Sequence, residues 1–419
     1  EAKVGQLESK EREVEYVSNV HPLVQQALPV AAKAAAVQQD LVGSSIGRGD
    51  VIKASFLVFL TGRPAFFLGP FGVNKTGTVQ QLVDRIEGAV LYDALMSNIV
   101  SPEQLLVDST SIEEEPTPSG GKLIRTRDTL GRAAAAHCVF ADELFKGDKR
   151  VIDAAIDLAK GDGVRHEGTM VKTPLRAFIA ASNELPDEGE SGAVWSRMTI
   201  RVLVQPLDRA GKKALFAARR KRDRNAASAP LTITLAELDL LRKARPYVDV
   251  PDSIEELVLD LLESLRDESG QDFSWLWSDD RRVGRIIDVL QAAALLAGRA
   301  TVTKADLAVC EWLLWDTPEQ LPVVKAKLAP LCRTPLLDAE ELVNSLLAPG
   351  GKVALVLGGD LKEATKAVAQ ATVAKDELAK LRAAATATDY PAFDALTAQV
   401  QQALTDVLSK TIGRQVTVS

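Results

Sequence analysis

Pro64-Ala-Phe-Phe-Leu-Gly-Pro-Phe-Gly-Val-Asn-Lys-Thr76 is the stretch on which the reading of this chain turns. Phe66, Phe67 and Leu68 run straight into Gly69, the pattern of a short buried strand that stops at a tight turn. After Thr76, apolar residues recur at helical spacing as Val79, Leu82, Val83 and Ile86. In such a strand, loop and helix, the backbone N–H groups of the loop and of the helix N-terminus converge on a phosphate. Gly69, Gly72, Val73, Asn74, Lys75 and Thr76 are therefore the candidate phosphate-binding residues, Lys75 reaching the outer phosphates and Thr76 offering its hydroxyl to magnesium. Asn74 stands where a glycine is usual. Asparagine tolerates left-handed backbone angles better than most residues, so the turn stays accessible, but the departure also leaves room for a chance loop or for weakened nucleotide binding.

A second segment points the same way. Cys138-Val-Phe-Ala-Asp142-Glu143 is an apolar strand ending in two acids. At the carboxyl end of a parallel strand, where α/β sheets bind ligands, a first carboxylate can hold magnesium and a second can orient the attacking water. Asp142 and Glu143 take those two roles here, with Thr76 and Asp142 as the magnesium ligands; the bland alternative is a strand capped by acids before a helix. Leu175-Arg-Ala-Phe-Ile-Ala-Ala-Ser-Asn183-Glu-Leu-Pro186 is a further apolar strand, ending in a polar side chain.

Around these strands, the pattern is helical from Val14 to Leu60, broken early by Pro22 and Pro29. Strands and helices then alternate to about Pro206, which argues for a parallel sheet covered on both faces. A Ser-, Glu-, Pro- and Gly-rich stretch from Asp108 to Gly131 reads as a long excursion from that sheet. Beyond Pro206 the chain turns helical through Gln320, with Ile254, Leu257, Leu261 and Leu265 on one stripe. A Pro- and Gly-rich connector then leads to two helices, near Leu361–Ala385 and Pro391–Leu408, whose stripe of Phe393, Leu396, Val400, Leu404 and Val407 predicts a helical hairpin packed on something. The expected divisions are a charged arm at 1–19, an α/β core at 20–207, an all-helical lid at 208–320 and an accessory region at 321–419.

At this point the sequence resembles the MoxR family of AAA+ ATPases, most closely its RavA branch, over about Val20 to Gln320. In that family the Ala-Ser-Asn-Glu-Leu-Pro strand carries a first sensor whose asparagine positions water near the γ-phosphate, and Asn183 matches it. Trp195-Ser-Arg197-Met-Thr-Ile-Arg201 is similar to the segment from which an arginine enters the neighbouring subunit's site, so the resemblance implies Arg197 as that finger, with Arg201 as fallback. Asp279-Asp-Arg281-Arg282 resembles the start of the second-sensor helix, implying Arg281, or else Arg282, on the γ-phosphate from the lid. A hairpin pattern from Val164 to Lys172 and the Asp108 to Gly131 excursion fall where the family carries elements facing the ring axis. The implied fold is an α/β P-loop AAA+ core with a parallel sheet between helices, followed by an all-α lid and a helical extension.

The expected activity is magnesium-dependent ATP hydrolysis, with water aligned by Glu143 and Asn183. Lys75, Arg281 and a neighbour's Arg197 would offset charge on the transferring phosphoryl group. By the same resemblance the active form is a closed homo-oligomeric ring, a hexamer, that remodels or activates a protein partner, often one carrying a von Willebrand factor A domain, or another protein client. A nucleotide-bound ring that scarcely hydrolyses is the alternative suggested by Asn74.

Composition excludes other classes. With 46% hydrophobic residues and no apolar run of roughly 20, the chain reads as a soluble globular protein. A net charge of -7 gives the whole molecule no electrostatic reason to seek nucleic acid or anionic membrane. The basic run from Lys212 to Arg224 reads as a solvated helix rather than a nucleic-acid contact. Three unclustered cysteines, Cys138, Cys310 and Cys332, argue against a disulfide framework and for a reducing, cytoplasmic compartment. His21, His137 and His166 are too scattered for a metal cluster.

Overall fold

The computed structural model describes residues 20–116, 122–159, 163–166, 169–185, 192–222, 229–347, 361–385 and 390–412. The expected arm at 1–19 and the Glu167-Gly168 turn lie outside them. The chain forms two compact units, divided after Leu328. The expected core and lid thus pack as one unit, and the tail separates eight residues later than the expected boundary at 320.

The first unit opens with two helices, α1 (Pro22–Ser44) and α2 (Gly49–Thr61). Pro22 occupies the first turn of α1, where its missing N–H is harmless, and Pro29 sits inside the helix instead of breaking it. Only one i to i−4 bond is forfeited there, while Val24, Ala27, Ala31, Ala34, Val37 and Leu41 keep a continuous buried stripe. Helix α2 is buried along most of its length and stops at Gly62, whose φ of 68° supplies the left-handed cap.

Strand β1 (Ala65–Leu68) follows and feeds α3 (Lys75–Val83). The later strands are β2 (Ile86–Glu87), β3 (Leu91–Leu95), β4 (Val107–Pro116), β5 (Lys122–Leu130), β6 (Cys138–Asp142), β7 (Val164–His166), β8 (Thr169–Val171), β9 (Ala177–Ser182) and β10 (Ile200–Leu203). Helix α4 (Lys149–Ala159) lies between β6 and β7. Five strands form a parallel sheet in the order β10-β1-β9-β6-β3. Every residue of β1 and β9 is buried, as expected for a parallel sheet covered on both faces. Leu68 pairs with Ser182, so β1 and β9 end side by side. Asp142 follows Ala141, which pairs with Ala180, and so β6 ends beside them.

Two excursions leave the sheet. β7 and β8 pair antiparallel as the hairpin pattern predicts. The Asp108 to Gly131 stretch is not a bare loop: β4 and β5 pair antiparallel from Val107–Leu130 to Pro116–Lys122. Its Ser-, Glu- and Pro-rich composition hides the β-branched residues Thr110, Ile112, Ile124, Thr126 and Thr129, which suit a two-stranded ribbon.

After β10 come α5 (Arg209–Arg222), the short strand β11 (Ile233–Thr234), α6 (Leu235–Ala244), α7 (Asp252–Arg266), α8 (Asp280–Leu296) and α9 (Leu321–Leu331). β11 pairs parallel with β2, tying the helical part back to the core. Helix α6 starts at a reciprocal capping box between Thr234 and Glu237. Helix α8 packs on α1 and α2.

The second unit holds α10 (Pro335–Leu347), α11 (Leu361–Ala384) and α12 (Tyr390–Ile412). The hairpin expected from the sequence packs on α10, which the Pro- and Gly-rich composition had concealed. Phe393, Val400, Leu404 and Val407 are buried against Ala339, Val343, Ala371 and Leu378, with Leu396 at the margin. Among the described residues no helix is long and apolar enough to cross a membrane.

Candidate functional site

The carboxyl ends of β1, β9 and β6 meet at one edge of the sheet, and predicted residues from the loop after β1 and from the ends of β6 and β9 gather there. Gly69 leaves β1 by donating its N–H to Ser182 O at 3.1 Å. A Cβ at Gly69 would lie 2.3 Å from the backbone oxygen of Val204, so only glycine lets the loop pass the end of β10. Gly72 then adopts a φ of 78° and Asn74 a φ of 62° with ψ 40°. Asn74 therefore takes the left-handed geometry that the usual glycine would take. Its side chain lies over Gly77, where an added Cβ would sit 2.3 Å from Asn74 Oδ1. The glycine missing at 74 is matched by one at 77 that makes room for the asparagine.

Lys75 is buried, and its Nζ donates to Gly69 O at 2.6 Å and Pro70 O at 3.3 Å. Burial pulls its pKa below the ordinary lysine range, while the Asp142 carboxylate works against that. Thr76 Oγ1 donates to Asp142 Oδ2 at 3.3 Å, joining the start of α3 to the end of β6. Asp142 Oδ1 accepts the N–H of Glu143 at 3.0 Å. Glu143 turns out of the strand at a φ of 53°, and its Oε2 accepts from Ser97 Oγ at 3.0 Å. Ser97 is a site residue that the sequence reading missed; a serine after a strand carries no signal of its own. At the end of β9, Asn183 Nδ2 donates to Glu184 at 3.2 Å, whereas its Oδ1 is buried with no hydrogen-bond partner among the described residues. An orphaned buried acceptor at the end of β9 is a place for a polar ligand or a water.

A cavity of about 500 Å³ adjoins the loop along the outer edge of β10. Gly47, Arg48, Gln205, Leu207, Trp312 and Trp315 contribute to its wall. Arg48, a second residue the sequence reading missed, ties this wall to the loop after β1: it donates to Val73 O at 2.6 Å and to Gln205 O at 3.1 Å. The signal available was the Gly47-Arg-Gly-Asp50 turn at the start of α2.

The predicted arginines lie elsewhere. The backbone N–H groups of Thr199 and Ile200 both reach Pro64 O, so Ser196 and Arg197 sit at the amino end of β1, opposite the phosphate loop. Arg285 on α8 donates to Ser196 O at 2.9 Å, and Arg63, just before β1, donates to Asp288 on α8 at 2.9 Å. Arg281 lies one turn before Arg285 and is 83% exposed, with Asp279 at 3.8 Å. The start of α8, with Arg281, therefore lies toward the amino end of β1, and Lys75 follows its carboxyl end. The four residues of β1, roughly 13 Å of strand, separate the two ends. The cause is the packing of α8 on α1 and α2, which no local motif reveals.

The two fallback arginines are inside the protein. Arg201 is fully buried, donates to Met198 O, Trp315 O and Trp195 O and pairs with Asp316 at 2.7 Å; burial lowers its pKa to about 9. Arg282 lies 4.3 Å from the Trp275 ring and donates to Leu313 O at 2.7 Å, with a pKa lowered by burial to about 10. Both are occupied by the fold. Arg197, by contrast, makes no side-chain hydrogen bond or ion pair among the described residues, and with Arg63 and Arg281 it adds positive charge around Arg285.

Comparison with known proteins bears on the family and the fold. Residues 32–243, just over half of the chain, match the family described as the MoxR domain in the MoxR-vWA-beta-propeller ternary systems, and residues 253–328 match an AAA lid domain. Two uncharacterized proteins of Methanocaldococcus jannaschii are each 23% identical to it, over 74% and 70% of this chain and 78% and 74% of theirs. A structural protein of Acidianus two-tailed virus is 27% identical over 41% of this chain and 28% of its own length. A solved structure described as a "putative ATPase" of Cytophaga hutchinsonii superposes with a TM-score of 0.57 at 16% identity, covering 76% of this chain and 98% of that one, and so shares the fold.

Proposed function

This chain belongs to the MoxR-domain family of AAA proteins, and we propose that it is an ATP hydrolase whose working sites form between copies of the chain. The observation that carries the reading is the 3.3 Å bond from Thr76 Oγ1 to Asp142 Oδ2, with Lys75, Glu143 and Asn183 around it. Thr76 and Asp142 are an oxygen pair suited to magnesium, which would neutralise phosphate charge when bound. Lys75 exchanges its loop carbonyls for phosphate oxygens. Glu143, held by Ser97, and Asn183, through its orphaned Oδ1, orient the attacking water. Family membership implies nucleotide binding, and the cavity beside Arg48 is where we place the base and ribose.

Arg63, Arg197, Arg281 and Arg285 gather on the far side of the sheet around few carboxylates, Asp279 and Asp288. The patch holds more cations than carboxylates, and a neighbour's triphosphate would supply the further anionic charge. Arg197 and Arg281 would then both act in trans, their guanidinium groups staying charged and offering paired donors to phosphoryl oxygens. The absence of a complete site in one chain supports a ring, which we take to be a hexamer.

We place the work of the ring in remodelling or activating a protein partner with a von Willebrand factor A domain, because the matching family is described by its association with such proteins and a β-propeller. That description is preferred to the RavA-like branch expected from the sequence. The reading is tested by measuring ATP binding and turnover side by side. Tight binding with turnover abolished by Glu143→Gln supports it, and binding without any turnover in the wild type returns the non-hydrolysing ring.

A further inference from the structure

We propose that the basic helix α5 of one copy docks on the acidic face of α7 of the next, with Phe216 and Leu259 as apolar anchors. The inference rests on the ring reading above and names the surface that builds it. Helix α5 carries seven Lys and Arg residues and no acid in 14 residues. It is exposed along almost its whole described length, leaving Phe216 65% and Leu215 50% exposed. A helix this short is marginal alone, and like charges such as Arg209 and Lys213, four residues apart, weaken it further. Its charge and exposed apolar side chains suit an anionic, partly apolar partner.

Helix α7 presents the complement. Its inner face buries Ile254, Val258, Leu261 and Leu265 in the first unit, while Glu255, Glu256, Asp260 and Glu263 surround Leu259, itself 40% exposed. Glu255, Glu256 and Asp260 have no ion pair among the described residues. The two patterns match in spacing. Lys212, Lys213, Arg219 and Arg220 stand at −4, −3, +3 and +4 from Phe216, and Glu255, Glu256 and Glu263 at −4, −3 and +4 from Leu259. Each pattern spans about 12 Å of helix.

Both faces are exposed in the same molecule. A surface and its complement at different places on one chain make a heterologous, head-to-tail contact, the kind that closes into rings. Phosphates of a nucleic acid would satisfy the cations but not Phe216 and Leu215 among them, and the chain's net charge of -7 opposes that partner.

The test is sedimentation with ATP across protein concentration for three proteins: wild type, Arg219→Glu with Arg220→Glu, and Glu255→Lys with Glu256→Lys. All four positions are exposed, so the melting temperature should hold while each variant alone needs roughly tenfold more protein, or more, to assemble. Mixed in equal amounts, the two variants should assemble again, because each offers the face that the other's reversed face now fits. Assembly of both variants at wild-type concentrations overturns the docking while leaving the ATPase reading intact. So does rescue only when both reversals are placed in one chain, which would mark an internal contact, or an α5 variant that loses binding to an oligonucleotide probe but still assembles. A wild type that neither assembles nor hydrolyses ATP overturns the ring reading itself, and the docking with it.

Discussion

Asn74 and Glu143 share a backbone conformation that no other non-glycine residue among those described adopts: both have positive φ, at 62° and 53°, and they stand at the two turns that flank the proposed phosphate site. Non-glycine residues in this region carry strain that folds retain where it positions chemistry. At Asn74 the strain can be probed together with Gly77, which leaves space for its side chain. Asn74→Ala should destabilise the protein by about 1 kcal/mol, and Asn74→Gly should not. Gly77→Ala should weaken nucleotide binding in the wild type and be tolerated beside Asn74→Gly. A double-mutant cycle on binding, read by titration calorimetry, should show a coupling of about 1 kcal/mol; additive effects would break the link between the two positions.

Glu143→Gln should lower turnover by roughly a hundredfold or more while ATP still binds, since only the base is removed. Ser97→Ala should lower turnover by less and leave binding unchanged, because Ser97 holds Glu143 and is not among the residues proposed to hold the nucleotide. A variant at Ser97 that loses binding and turnover together would mean that the serine does something else.

Lys75 supplies a pH test. Burial depresses its pKa, and Asp142 partly restores it. The folded protein therefore loses the Lys75 charge at a lower pH than an exposed lysine would, and phosphate affinity should fall as pH rises through that lowered range. Asp142→Asn removes the restoring charge and should move the fall to still lower pH. Dissociation constants for ATP without metal, measured across the alkaline range, would show it; superposable profiles for the two proteins would refute it.

Arg197 and Arg201 are four residues apart and should behave as opposites. Arg201→Ala leaves Asp316 and three backbone oxygens without their buried partner and should cost roughly 3 kcal/mol or more of stability. Arg197→Ala should leave the melting temperature nearly unchanged and abolish turnover. Thermal unfolding beside an ATPase assay separates them, and an Arg201 variant of normal stability would contradict the buried assignment.

The strand, turn and helix around the proposed phosphate loop were legible in the sequence because their determinants are local: an apolar strand, glycines where the backbone must turn or pass closely, then a lysine and a hydroxyl. Asp142 and Asn183 were legible for the same reason, each ending an apolar run that could only be a buried strand. The rest depends on long-range packing. Arg281 and Arg282 are adjacent, yet one is solvent-exposed and the other lies beside Trp275, a difference set by how α8 packs. Ser97 reaches Glu143 from a different strand end, and Arg48 bridges a helix start to the loop through backbone carbonyls. Composition also misled: the polar residues around Asp108 to Gly131 masked a strand pair, and Pro335 marked the start of a helix rather than a connector.

The shared site is tested most directly by complementation. Steady-state ATP hydrolysis would be measured for Glu143→Gln alone, Arg197→Ala alone and their equal mixture, with wild type across concentration. The account predicts that wild-type rate per subunit climbs with concentration, that each variant alone is idle, and that the mixture regains activity where an intact Glu143 meets a neighbour's intact Arg197. A wild-type rate per subunit independent of concentration, with Arg197→Ala fully active, would contradict it.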